Sequence, residues 1–101
     1  IRDSVERMLE QARRMKAPRA VALCENFAGT VDFVAGRWAD AEAQLRQAIE
    51  GFRRVGAASG EALSLQRLAI LLTARGELDE ARQLLADGIV VAERAAMRSH
   101  C

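Results

Sequence analysis

GRWADAEAQLRQAI at residues 36–49 is echoed forty residues later by GELDEARQLLADGI at residues 76–89, and reading the two stretches together decides the fold. A shift of 40 residues aligns Gly36 with Gly76, Ala41 with Ala81, Leu45 with Leu85 and Ile49 with Ile89, with no gap. Upstream in this register Ala22 meets Ala62 and Leu23 meets Leu63; downstream Arg54 meets Arg94. The register also runs backwards. Glu10 falls on Glu50, Arg13 on Arg53 and Arg14 on Arg54, while Val5 and Leu9 take the places of Leu45 and Ile49. Residues 1–17 therefore read as the second helix of a truncated earlier unit, residues 18–57 as one whole unit and residues 58–101 as the next. MRSHC at the end falls on AASGE, the connector between units, so the expectation is a piece of a longer protein.

Each unit reads as a pair of helices. Leu65, Leu68, Ala69 and Leu72 recur at three- and four-residue spacing, and so do Leu78, Ala81, Leu85, Ile89 and Ala92. That spacing makes one apolar stripe per helix. Helices are predicted at about 2–16, 19–35, 38–55, 61–75 and 78–97, with GAASG, 56–60, as a linker between units. Gly36 and Gly76 sit where one helix stops and the next turns back, because glycine adopts the left-handed conformation common just past a helix end. Pro18 suits a first helical turn. Asp40, Glu42, Glu77, Asp79 and Glu80 lie near helix starts and Arg14, Arg53, Arg54 and Arg94 near helix ends, each sign complementing the helix dipole.

Composition points the same way. Alanine, leucine and arginine dominate; all three are strong helix formers, and the sole proline is Pro18. The fold class expected is all-α. The 15 basic and 14 acidic residues nearly cancel, which leaves no general field to draw nucleic acid or an anionic membrane. The longest apolar run, Leu68–Leu72, is far too short to span a bilayer, and IRDSVERMLEQ lacks the apolar centre of a signal peptide. Cys24 and Cys101 make no disulfide framework, and a reducing cytoplasm is the simplest compartment.

The pattern resembles the tetratricopeptide repeat. Gly36-Ala41-Leu45-Ala48 and Gly76-Ala81-Leu85-Gly88 match the second-helix signature of that family, and Gly29 and Ala69 match the small residue of its first helix. The resemblance implies a right-handed α-solenoid of antiparallel helix pairs, about five helices here, that binds a protein or peptide and carries no chemistry. The 40-residue unit exceeds the family's usual length of about 34. Longer units of this kind look like those of bacterial transcriptional activators and nucleotide-binding regulators. Ala41, Ala48, Ala81 and Gly88 are expected to let backbones approach while Leu45, Ile49, Leu85 and Ile89 fill the space between.

In this family the first helix of each pair lines the concave surface. By resemblance the exposed inner positions are Asn26, Thr30 and Phe33 in one unit and Gln66, Ile70 and Thr73 in the next. Amides at Asn26 and Gln66 suit an extended peptide backbone, and Arg67 suits a partner's carboxylate. The alternative is a spacer or self-association element, with Val5, Met8, Leu9 and Ala12 offering an apolar stripe to a second molecule.

Glu25 and Asp32 are the surprising charges, because their counterparts are Leu65 and Leu72. Seven residues apart, they share one helix face. Paired acids for catalysis or a cation would want a third ligand or a histidine, so the expectation is that this helix is more exposed or that Arg13, Arg14 or Arg53 neutralise them. Trp38 reads as a packing residue and Cys24 as a small hydrophobe. The adjacent pair His100 and Cys101 is too few donors for a metal. GAASGEA lacks the lysine and spacing of a phosphate-binding loop. No catalytic, cofactor-binding or metal-binding residues are expected, and no cofactor.

Overall fold

The computed structural model describes residues 2–99. Five helices follow one another: α1 (Arg2–Arg14), α2 (Pro18–Val34), α3 (Trp38–Arg54), α4 (Ala58–Ala74) and α5 (Leu78–Ser99). No strand occurs among the described residues, and the all-α helical repeat is the fold.

Three-residue turns join the helices, and their spacing is shorter than the sequence repeat. Lys16, Gly36, Gly56 and Gly76 all have positive φ, between 53° and 84°, and recur every 20 residues. At each, the amide of the following residue donates back to a carbonyl five positions earlier. Ala17 donates to Ala12, Arg37 to Asp32, Ala57 to Phe52 and Glu77 to Leu72, at 2.8–3.1 Å. This is the Schellman closure, which needs one left-handed residue. Glycine supplies it three times, and Lys16 takes it without that help.

Two boundaries depart from the expectation. GAASG is not a linker, because α4 begins at Ala58 and Gly60 lies in its first turn. The reason is a packing one. A Cβ on Gly60 would stand 2.4–2.7 Å from ring atoms of Phe52, so this glycine serves a close approach of α4 to α3. At the other end, α5 runs through residues 95–97, where α1 and α3 have already turned. Ala96 stands there in place of Gly56, and a left-handed alanine is costly.

The main core lies between α3, α4 and α5. Ala41, Leu45, Ile49, Leu65, Leu68, Ala69, Leu71, Leu72 and Ala81 form one buried cluster, with Phe33 and Trp38 packed against it. The Phe33 and Trp38 rings sit 5.8 Å apart, so Trp38 is a packing residue. A smaller cluster of Ala22, Ala48 and Phe52 joins α2 to α3. The expected filling by Leu85 and Ile89 does not occur, since both are exposed. The apolar stripe of α1 is also corrected. Val5, Leu9 and Ala12 are buried, leaving Met8 and Met15 exposed. Among the described residues no helix follows α5 to lie across Leu85 and Ile89 as α4 lies across Leu45 and Ile49.

Side-chain ion pairs bind the outer layer. Glu42 accepts from Arg75 at 2.6 Å and from Arg46 at 2.9 Å, and Arg46 also reaches Glu80. The hydrogen bond from Arg75, then that from Arg46, holds the Glu42 carboxyl below its ordinary range against some burial.

Candidate functional site

The inner side of the array follows from which helices meet. α2 touches α4, whereas α1 does not approach α3, nor α3 α5, as closely. Short side chains join the first pair: the Ser64 hydroxyl donates to Asn26 Oδ1 at 2.9 Å, and both residues are buried. A long side chain, Arg46 reaching Glu80, spans the gap between α3 and α5. The layer of α2 and α4 is therefore the tight, concave side, and α1, α3 and α5 form the splayed, convex side.

The seven expected inner residues divide. Asn26 is not an exposed peptide-binding amide; it is buried and spent on Ser64. Phe33 is half-buried against Trp38 and the main core. Thr30 and Thr73 turn their hydroxyls back to the carbonyls of Asn26 and Ala69, the ordinary habit of threonine within a helix. Gln66 is exposed and, with Leu63, lines a groove between α4 and α5. Arg67 and Ile70 lie on the open face of α4, Ile70 exposed and Arg67 partly so.

Four residues on that face were missed: Leu23, Phe27 and Val34 on α2, and Leu63 on α4, all exposed. Helical geometry groups Leu23, Phe27, Thr30 and Val34 on one side of α2, and Leu63, Arg67, Ile70 and Ala74 on the equivalent side of α4. The 40-residue register carries each member of the first set onto the second. The identity of Leu23 with Leu63 was the available signal. The surface is thus apolar, with one cation in it. Arg67 Nε is buried without a hydrogen-bond partner, and no carboxylate pairs with that guanidinium among the described residues.

The two acids of α2 are structural. Asp32 is buried, and Arg37, beyond the α2–α3 turn, donates to it at 2.9 Å. Glu25 is buried also; burial pushes its carboxyl above the ordinary 4.5, while Arg13 and Arg54 pull the other way. Of the arginines expected to neutralise these acids, Arg14 pairs with Glu10 and Arg53 with Glu61 instead. Cys24 has its thiol pushed up by burial and by Glu25, the reverse of what a nucleophile needs. No group of three or more metal-binding side chains forms among the described residues. His100 and Cys101 lie outside them.

Glu25 sets a pH dependence. Folded Glu25 holds its proton more tightly than the unfolded chain does, so its effect is a loss of stability as pH rises from the ordinary carboxylate range through the folded value. Glu25→Gln is expected to gain on the wild type between pH 4 and pH 7 in urea denaturation. Glu25→Leu, which copies Leu65, is expected to be about 1–2 kcal/mol more stable than wild type at pH 7, the low end for exchanging a buried ion for a packed hydrophobe. Equal pH profiles for wild type and Glu25→Gln would show that the carboxylate stays fully solvated.

No described helix is long and apolar enough to cross a membrane. No curated protein and no solved structure matches the chain. The tetratricopeptide-repeat family model matches residues 19–94, most of the chain and nearly all of both helix pairs. Repeats of this family generally mediate protein–protein interaction. With matched helices, a shared register and one inner layer, the chain belongs to the tetratricopeptide-repeat family.

Proposed function

We propose that the concave layer of α2 and α4 binds a protein segment that presents apolar side chains and a carboxylate. The observation that carries this reading is Arg67, a partly buried guanidinium without an acid of its own, set among exposed Leu63 and Ile70. A partner carboxylate would pair with the guanidinium of the partly exposed Arg67, and Leu23, Phe27 and Ile70 would supply apolar contact. The role is binding without catalysis. The likeness of its 40-residue unit to those of bacterial regulators supports a place in a larger bacterial regulatory protein, acting in the cytoplasm and without direct nucleic-acid contact by this segment.

The test is selection of peptides from a random display library. Sequences with Asp or Glu beside apolar residues should be enriched. Arg67→Ala should weaken the selected peptides by about tenfold or more, the worth of a hydrogen bond to a charged group. Arg67→Glu should shift the selection to basic peptides. Binders indifferent to Arg67, Phe27 and Ile70 would place the partner elsewhere.

A further inference from the structure

The hydrogen-bonding groups of the concave layer are already committed. Along α2 and α4 the main-chain groups serve their own helices. Asn26 receives the Ser64 hydroxyl, and Thr30 and Thr73 donate to the carbonyls of Asn26 and Ala69. Gln66 lies on the side of α4 that faces α5. An extended chain seated on this layer would bury its N–H and C=O groups without partners, and each would cost affinity. An α-helix satisfies those groups internally.

Spacing favours the same occupant. The open stripes, from Leu23 to Val34 on α2 and from Leu63 to Ala74 on α4, each advance by four, three and four residues. At about 1.5 Å per residue their rows stand about 6, 4.5 and 6 Å apart. A helix laid alongside has the same steps and meets every row. Same-face side chains of an extended chain are about 6.7 Å apart and fall about 3 Å out of step by the third row. Further repeats would not cover this face. Leu23 and Val34 are 52% and 80% exposed although α4 is stacked on α2, and a unit added in the same register leaves the stripe of α4 open likewise.

Resting on the binding role proposed above, we infer that the occupant is an amphipathic helix of a partner protein, laid along the concave face between α2 and α4. Its inward stripe is apolar except for one carboxylate. Charge complementarity sets the place of that carboxylate, because Arg67 is the one charged residue in the two stripes. Arg67 stands in the second row, so the acid has one apolar row on one side of it and two on the other. The partner is thus recognised by its apolar rows and its single acid, without hydrogen bonds to its backbone.

The probe is a pair of labelled synthetic peptides of matched composition, titrated against the whole chain by fluorescence anisotropy. One places leucine, glutamate, leucine and leucine at the spacing of Leu63, Arg67, Ile70 and Ala74, with a staple on the opposite face to lock the helix. The other alternates the same residues with polar ones and carries no staple. Both are made in each chain direction. The helical peptide should bind at least about tenfold more tightly than the alternating one. Exchanging its glutamate for glutamine should cost about tenfold against the wild type and nothing against Arg67→Ala. Equal or tighter binding of the alternating peptide overturns the helix; if Arg67→Ala weakens that binding, the concave face still stands as the binding site. Binding of neither peptide also overturns the helix, while the display selection judges the face independently. Helical binding indifferent to Arg67→Ala places the helix elsewhere and overturns the proposal too. So does a concentration-dependent dimer, seen in sedimentation and lost in Arg67→Glu, since a second copy would then be the occupant.

Discussion

Truncating Phe52 to alanine is expected to lower the unfolding free energy by about 3–5 kcal/mol, the range for emptying a buried aromatic site. The ring is almost wholly enclosed and is the one large side chain of the cluster that joins α2 to α3. Its buried neighbours there are Ala22 and Ala48, with Ala57 partly buried beside them. Alanine has no rotamer with which to fill a void, so the lining cannot collapse, and the upper half of the range applies. The ring also sets the distance between α3 and the first turn of α4, through its contact with Gly60. Loss of the ring should therefore loosen the α3–α4 corner as well as reduce global stability. Urea denaturation gives the first quantity and hydrogen exchange of the amides at 61–65 the second. A cost below about 1 kcal/mol would mean that the site repacks freely, contrary to a lining of alanines.

Much of this architecture was legible because it is written locally. Helix stripes follow from spacing, and the turns at Gly36 and Gly76 follow from the one residue that accepts positive φ without strain. The register of 40 then tied distant segments together without any knowledge of contacts. What it hid is the finer period. The turns recur every 20 residues, but a lysine replaces the glycine at residue 16, and Gly56 lies within GAASG, which reads as a linker.

The inner surface was harder for a geometrical reason. Successive residues step about 100° around a helix, so one position decides whether a side chain faces the groove or the next unit. Asn26 and Phe27 are neighbours in sequence, yet Asn26 is buried against Ser64 and Phe27 is exposed. Only the angle between α2 and α4 separates those fates, and no single-helix pattern contains it. Glu25 and Asp32 were recognisable as anomalies by comparison with Leu65 and Leu72, but of their cations only Arg13 was. Arg37 meets Asp32 across a turn, and Arg13 and Arg54 converge on Glu25 from two other helices. Leu85 and Ile89 misled for the opposite reason: their residue type promised burial, while burial requires a further helix and none follows α5 among the described residues.

Gly60 provides the second large effect, and the repeat itself supplies its control. Gly60→Ala places a methyl carbon 2.4 Å from a fully buried ring carbon of Phe52, far inside van der Waals contact. Neither side can yield easily, because the ring is enclosed and the glycine is fixed in a helix. The expected cost is about 2–3 kcal/mol, near the top of the range for overpacking, even though alanine is the better helix former. The pair one unit earlier is Ala12 and Ala20, which line one cleft between α1 and α2. The same joint is thus built once from two alanines and once from a phenylalanine and a glycine. Phe52→Ala combined with Gly60→Ala recreates the first solution at the second site. In the Phe52→Ala background, Gly60→Ala should cease to be harmful and should gain up to about 1 kcal/mol from helix propensity. The coupling between the two changes, read from a double-mutant cycle in urea, is then about 3 kcal/mol. Additive effects would mean that ring and glycine do not touch, and that Gly60 is a linker residue after all.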